Sequence, residues 1–304
     1  MSAKRIGSAD IVGFGRKNVL IMRNGIRREI INASTKLTLQ DGWSNEKHIR
    51  TLGDTTGDGH LDLIGFGDTG VFVSRNNGDN TFQSASMIHG DLSYNMGWRA
   101  DLHPRFAVDL WNRGFVDFVG WGKGGLSVTK NNGDGTFQDL SRCILYEYGY
   151  EAGWRADLHI RLFVDLTGDG VKDVIAFGDK DVSVCLGTKE GVFKAKQSVI
   201  DTDLSIQHNW HTNKHPRLLG DITGDGKPDI VGFGEKGVTV ALSKGDGTFD
   251  TPKLTLDDFS YEKGWRIEKH LRFLADMNGN GRLDIVGFGD KGVIVSFSNG
   301  DGTS

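Results

Sequence analysis

Short apolar runs, separated by glycine- and aspartate-rich segments, recur along nearly the whole chain. In the unit that opens at Asp62, Leu63-Ile64-Gly65-Phe66 and Val71-Phe72-Val73-Ser74 are β-branched or aromatic runs joined by Gly67-Asp68-Thr69-Gly70. That pattern predicts a hairpin. A third run follows Phe82, and a fourth includes Phe106-Ala107-Val108. No helix-length segment with a 3.6-residue apolar period lies between them, which excludes the helical solenoids.

The runs belong to one repeated phrase: His-x-Arg, an Asp-rich loop, Asp-Ile-Val-Gly-Phe-Gly, Gly-Val-x-Val-Ser, Asn-Gly-Asp-Gly-Thr-Phe and Gly-Trp-Arg. Its histidines, His48, His103, His159, His215 and His270, stand 55, 56, 56 and 55 residues apart. Four strands in a unit of that length predict an all-β fold, a β-propeller of four-stranded blades. Read from the Asp-Ile-Val strand onward, the chain is one propeller domain over 1–304. Its blades are 10–61, 62–116, 117–172, 173–228 and 229–283, with a partial sixth at 284–304. In Gly65-Phe66-Gly67 and its equivalents, the aromatic ring is expected to fill the space between blades while the glycines admit close backbone approach. Trp121 takes the ring's place in the third unit.

Open sheet edges invite aggregation, so the partial blade demands a partner. Three routes stay open: a truncated chain whose full form has six or seven blades, a closed ring with a thin last blade, or pairing with a second copy.

Composition narrows the function. Glycine accounts for 44 residues and proline for 4, as expected for short strands joined by tight turns. A net charge of -4 and a pI near 6.1 leave no basic footprint for nucleic acid. Cys143 and Cys185 lack metal or redox spacing and read as free thiols. Residues 1–10 hold no apolar signal core, and no apolar stretch is long enough to span a membrane. The expectation is a cytoplasmic or non-classically secreted protein without membrane insertion.

Four units carry oxygen side chains at loop positions 1, 3, 5 and 9: Asp54, Thr56, Asp58 and Asp62; Asp165, Thr167, Asp169 and Asp173; Asp221, Thr223, Asp225 and Asp229; Asp276, Asn278, Asn280 and Asp284. This spacing suits a hard cation, so structural Ca²⁺ is the expected cofactor; the alternative is closure by Asx hydrogen bonds alone. The equivalent Asp109-Leu110-Trp111-Asn112-Arg113-Gly114 puts Trp and Arg at ligand positions and should hold no calcium.

Trp43, Trp98, Trp154, Trp210 and Trp265 each precede the repeat histidine by five residues, and Arg99, Arg155 and Arg266 follow three of them. A flat aromatic face with fixed polar partners is what a pyranose ring requires. The same residues also serve as packing between blades, with His and Arg bracing loops. No nucleophile elbow, HExxH or other constellation unique to one repeat appears, so no enzyme is expected. Repetition of a weak site on a rigid frame favours a multivalent binder.

The phrases Lys214-His215-Pro216-Arg217, Asp229-Ile230-Val231-Gly232-Phe233-Gly234, Asn131-Asn132-Gly133-Asp134-Gly135-Thr136-Phe137 and Gly153-Trp154-Arg155 resemble those of the mushroom β-propeller lectins, as in Psathyrella velutina and Agrocybe aegerita. More distantly they resemble the FG-GAP repeats of integrin α-chains. The resemblance covers about Ala9 to Thr303. It implies a lectin for terminal N-acetylglucosamine or related acetamido sugars, with pockets between consecutive blades and glycans or glycoproteins as partners. Carried over, the pockets centre on Trp98 and His103, Trp154 and His159, Trp210 and His215, and Trp265 and His270, with Asn77 and Asn132 as hydroxyl partners. Trp43 and His48 form an altered pocket, because Ser44 replaces the arginine; His211 does the same beside Trp210. The rival reading is a calcium-stabilised protein-interaction propeller of integrin-α type without a sugar site. Self-association through the incomplete blade is compatible with either.

Overall fold

The computed structural model describes residues 11–22, 30–34, 36–79 and 81–303. The chain start at Asp10 and the segment 1–10, read above as lacking a signal core, lie outside them. The chain falls into two compact units, Met1–Gly153 and Trp154–Ser304.

The first unit holds three antiparallel sheets. They are β1 (Ile11–Phe14), β2 (Val19–Met22) and β3 (Ile30–Ser34); β4 (Ile49–Gly53), β5 (Asp62–Phe66), β6 (Val71–Ser74) and β7 (Ser86–His89); and β8 (Arg105–Val108), β9 (Asp117–Gly122), β10 (Gly125–Thr129) and β11 (Ser141–Leu145). The second unit repeats the plan. It contains β12 (Ile160–Val164), β13 (Asp173–Phe177), β14 (Val182–Cys185) and β15 (Gln197–Ile200); β16 (Arg217–Gly220), β17 (Asp229–Phe233), β18 (Val238–Ala241) and β19 (Lys253–Leu256); and β20 (Arg272–Ala275), β21 (Asp284–Gly289) and β22 (Gly292–Ser296). These up-and-down sheets are the blades of a β-propeller.

The phase of the blades differs from the sequence reading. The strand that follows each His-x-Arg pairs with the next Asp-x-Val strand, as in Arg50↔Gly65 and Arg217↔Gly232. Each sheet therefore begins one strand before the boundaries at 62, 117, 173 and 229. The Asp-rich loop is the turn within a blade rather than the link between two, because its short closed backbone joins antiparallel neighbours. In this phase the five full blades and a part become four four-stranded sheets and two three-stranded ones among the described residues.

Central strands β5, β13 and β17 are buried along their full length, which explains their unbroken apolar runs. The predicted ring filler is present: Phe66 is fully buried and meets Phe118 of the next sheet edge to face, with centroids 5.8 Å apart. Trp121 is equally buried at the substituted position. In the second unit, Leu166, Ile175, Phe177 and Val182 pack with Trp210 and Ile230 of the following sheet.

Each blade has two different ends. The hairpin between its second and third strands lies at one; at the other, the Asp-rich loop meets the Asn-Gly-Asp turn, where the Asn76 N–H donates to Asp62 Oδ1 at 2.9 Å. Candidate chemistry occupies both ends, but not the same chemistry.

Candidate functional site

At the hairpin end, tryptophan and histidine are locked together by the glycines the repeat supplies. The rim of Trp210 lies against Gly232, where a β-carbon would come 2.6 Å from Cη2; Trp43 and Trp98 crowd Gly67 and Gly122 in the same way, at 3.0 and 3.1 Å. Indole N–H groups find carboxylates seven residues upstream: Trp210 donates to Asp203 at 2.6 Å and Trp265 to Asp258 at 3.2 Å. Trp98, Trp154, Trp210 and Trp265 are each 8% exposed or less. At that burial these four rings offer no open platform, whereas Trp43 is half-buried.

The histidines have a fixed tautomer. The backbone N–H of Ser44, Arg99, Arg155, His211 and Arg266 donates to Nδ1 of His48, His103, His159, His215 and His270, at 2.9 to 3.2 Å. An accepting Nδ1 leaves the proton on Nε2. In four blades Nε2 donates, at 3.1 Å, to an acid twenty residues on: Asp68, Asp179, Glu235 and Asp290. Burial holds the imidazoles of His159 and His215 below the usual histidine pKa, against the opposing pull of Asp179 and Glu235. The equivalent position in the β8–β11 blade is Lys123. These five positions escaped the sequence reading, although the residue directly after each aromatic–glycine pair, Gly-x-Gly in four units and Ala176-Phe177-Gly178 in the other, gave the signal.

Among the described residues, open cavities lie on the Trp98, Trp43 and Trp265 pairs. The largest, about 510 Å³, is lined by Met96, Trp98, Leu102, His103, Lys123, Ser127, Cys143 and Tyr150. A second of about 370 Å³ lies on Trp43, His48, Asp68 and Phe72, and a third of about 230 Å³ on Trp265, His270, Asp290 and Ile294. Trp43 and His48, the altered pair, thus retain a cavity despite Ser44.

Other candidates serve the frame. Arg99 and Arg266 stack on Tyr94 and Tyr261, at 3.8 and 3.6 Å from the ring centroids, and Nη1 donates to the carbonyls of Tyr94 and Trp98, or Tyr261 and Trp265. Arg155 likewise donates to the Trp154 carbonyl. The arginines of His-x-Arg brace the loop before each blade: Arg105, Arg217 and Arg272 donate to carbonyls of Leu92, Leu204 and Phe259, residues held at φ of 57°, 62° and 54°. Burial pulls these guanidinium groups down to about 10, so they remain charged at neutral pH.

Asn77 and Asn132 are not brought to the cavities. Each closes its own turn, with Nδ2 donating to Thr81 Oγ1 at 2.8 Å and to Thr136 Oγ1 at 2.9 Å, beyond the far end of its strand. The Asp-rich loops occupy that same far end. The first carboxylate of each is wrapped by loop amides: Asp54 accepts from Thr56, Gly57 and Gly59; Asp165 from Thr167, Gly168 and Gly170; Asp221 from Gly224, Asp225 and Gly226; Asp276 from Gly279, Asn280 and Gly281. The ninth-position Asp62, Asp173, Asp229 and Asp284 tie the loop to the neighbouring turn. Asp58, Asp169, Asp225, Asn278 and Asn280 form local Asx turns. Thr56 and Thr223 hydroxyls donate to Asp54 and Asp221. Among the described residues no three His, Cys, Asp or Glu side chains gather closely enough to hold an ion. The β8–β11 blade supplies its own cation: Arg113 pairs with the fully buried Asp117.

No protein-family model and no curated protein matches the chain. Among solved structures, it is similar to an Agrocybe aegerita lectin described for specific recognition of non-reducing terminal N-acetylglucosamine. The two are 44% identical with a TM-score of 0.91, over 98% of this chain and 75% of that one. A part of the Photorhabdus luminescens Tc holotoxin pore shares the fold alone: 19% identity and a TM-score of 0.56, over 84% of this chain and 11% of that one. The spacing, the cavities and the 44% identity agree, and the chain belongs to the family of β-propeller lectins represented by the Agrocybe aegerita protein.

Proposed function

We propose that the chain binds non-reducing terminal N-acetylglucosamine or a related acetamido sugar in the Trp–His cavities, and gains avidity from presenting several of them. The observation that carries this reading is the recurrence of a solvent-open cavity on a Trp–His pair. The two larger cavities fall within the range of roughly 300–1,000 Å³ common for small-ligand clefts. The indole edge and Phe or Ile side chains offer apolar contact to the ring, while the acid beside His offers acceptors for hydroxyls. Glycans and glycoproteins are the partners, and binding without chemistry is the role assigned. Among the described residues no helix is long and apolar enough to cross a membrane.

A glycan array with competition by free N-acetylglucosamine tests the reading. Variants should target the solvent-exposed acids, because the indoles are packing. Asp68→Ala with Asp290→Ala is expected to weaken agglutination severalfold in a protein that still melts cooperatively. A folded wild-type protein that binds nothing on the array overturns the reading.

Calcium is proposed as a structural ligand of the four oxygen-rich loops, on the strength of their donor set, with binding drawing the carboxylates closer together than they lie here. It would engage Asp54, Asp165, Asp221 and Asp276 together with the other loop oxygens. The Asp109 loop, neutralised by Arg113, is left out of that assignment.

A further inference from the structure

We infer that the cavity on Trp98 takes an anionic saccharide, one bearing a sulfate or carboxylate, whereas its counterpart on Trp43, lined by two carboxylates, takes a neutral sugar; this rests on the reading of these cavities as sugar sites.

The difference lies in the carboxylates. Lysines line all three cavities, Lys123 on Trp98, Lys36 on Trp43, and Lys263 and Lys291 on Trp265, but Asp41 and Asp68 accompany the second and Asp290 the third, whereas Lys123 takes the place of that acid in the first. A carboxylate accepts from a sugar hydroxyl; an ammonium carries three donors and no acceptor. The exchange therefore removes the acceptor that a neutral sugar uses and installs a positive point charge. No Asp or Glu lines this cavity, and Met96, Leu102 and Tyr150 make up much of the remaining wall. His103 Nδ1 accepts the Arg99 N–H.

The ammonium has a local counter-charge, Glu151, with Nζ to Oε1 at 3.4 Å. Glu151 is not part of the cavity wall, and the Lys123 side chain is 77% exposed. Exposed pairs of this kind are worth at most about 1 kcal/mol, so a ligand anion can share or displace the contact.

The same cavity contains its own reporter. Cys143 is exposed and lines the wall, while Cys185 is buried in β14. The rate of Cys143 alkylation by iodoacetamide, a neutral reagent, thus reads occupancy of this one cavity among several.

The experiment measures protection of Cys143 by N-acetylglucosamine, N-acetylglucosamine 6-sulfate and glucuronic acid, in wild type and Lys123→Met. The sulfated sugar is expected to protect at about fivefold lower concentration than its neutral parent, with the preference shrinking at high salt and vanishing in the variant. Protection by glucuronic acid would assign the site to sugar carboxylates as well; protection by the sulfate alone assigns it to sulfated sugars. Equal protection by neutral and sulfated sugar, or no protection by any while N-acetylglucosamine binds on the array, overturns the inference and leaves the lectin reading intact. A blank array overturns the reading beneath it.

Discussion

The rim of Trp210 lies against Gly232 of the strand it covers, leaving no room for a β-carbon: one built there would sit 2.6 Å from the indole Cη2 and 3.0 Å from Leu204 Cδ2. Gly232→Ala is therefore expected to destabilise the protein by about 1–3 kcal/mol, the usual cost of overpacking a filled core. Gly13 holds the equivalent place in β1–β3 and has nothing within 4 Å of such a carbon. Gly13→Ala should change stability by less than about 1 kcal/mol. Urea unfolding of the two variants checks the contrast; equal losses would mean the indole is not the cause.

The histidines give stability a pH dependence with a definite sign. His159 and His215 titrate lower in the folded protein than their unfolded value of about 6.5, since burial disfavours the charged ring. Between the two values the unfolded chain binds more protons, so stability falls as pH drops from about 6.5 through the folded pKa. Protonation also turns Nδ1 from acceptor to donor against the N–H of Arg155 or His211. His215→Asn keeps an acceptor near that amide and cannot titrate. Melting temperature measured from pH 7 to pH 5 should fall less steeply in this variant than in wild type; parallel curves would count against the histidine.

Position along the sequence revealed these pairs better than it revealed their surroundings. Trp and His were legible because five residues always separate them, and one loop geometry repeats. Strand phase was not legible, because four apolar runs per unit can be cut at any strand; only the Arg50↔Gly65 type of pairing decides where a blade begins. The acid beside four of the histidines lies twenty residues away, brought back by a strand, a loop and a second strand. Asp68, Lys123, Asp179, Glu235 and Asp290 could still have been read as one column directly after the aromatic–glycine pair, and the lysine would then have stood out.

Arg113 brings a covalently attached cation to the buried Asp117, at the loop where four other units carry oxygen side chains. Asp117 is fully buried, and burial pushes its carboxyl up despite the Asn131 amide and the Arg113 guanidinium. Removing one member of such a pair strands the other: Arg113→Met is expected to cost about 3 kcal/mol. Adding Asp117→Asn in the same chain should recover part of the loss, because the stranded charge is then gone. A double variant no more stable than Arg113→Met would show that the arginine acts through its packing on Trp111 and Phe115.

The oxygen-rich loops separate two sources of stability. Asp221 accepts from the amides of Gly224, Asp225 and Gly226, so Asp221→Ala should cost about 1–2 kcal/mol even in EDTA. Added calcium should then raise the wild-type melting temperature by mass action and raise the variant less. Calorimetry with and without EDTA checks both. A wild-type curve indifferent to calcium would remove the ion from the account and leave the amide network.

Asn132 separates sugar recognition from turn formation. Its amide donates to Thr136 Oγ1 at 2.9 Å and its Oδ1 accepts from Gln138 Nε2 at 3.1 Å, all within one exposed turn. That turn follows β10 at the end away from the hairpin of Gly122 to Gly125, and a strand of five residues spans about 17 Å. Asn132→Ala is accordingly expected to leave N-acetylglucosamine binding within about twofold of wild type, while lowering stability by about 0.5–1.5 kcal/mol. Isothermal titration beside thermal unfolding reads the two effects separately. A loss of binding at unchanged stability would move the sugar to the Asn-Gly-Asp end of the blade, and with it the assignment of every cavity on a Trp–His pair.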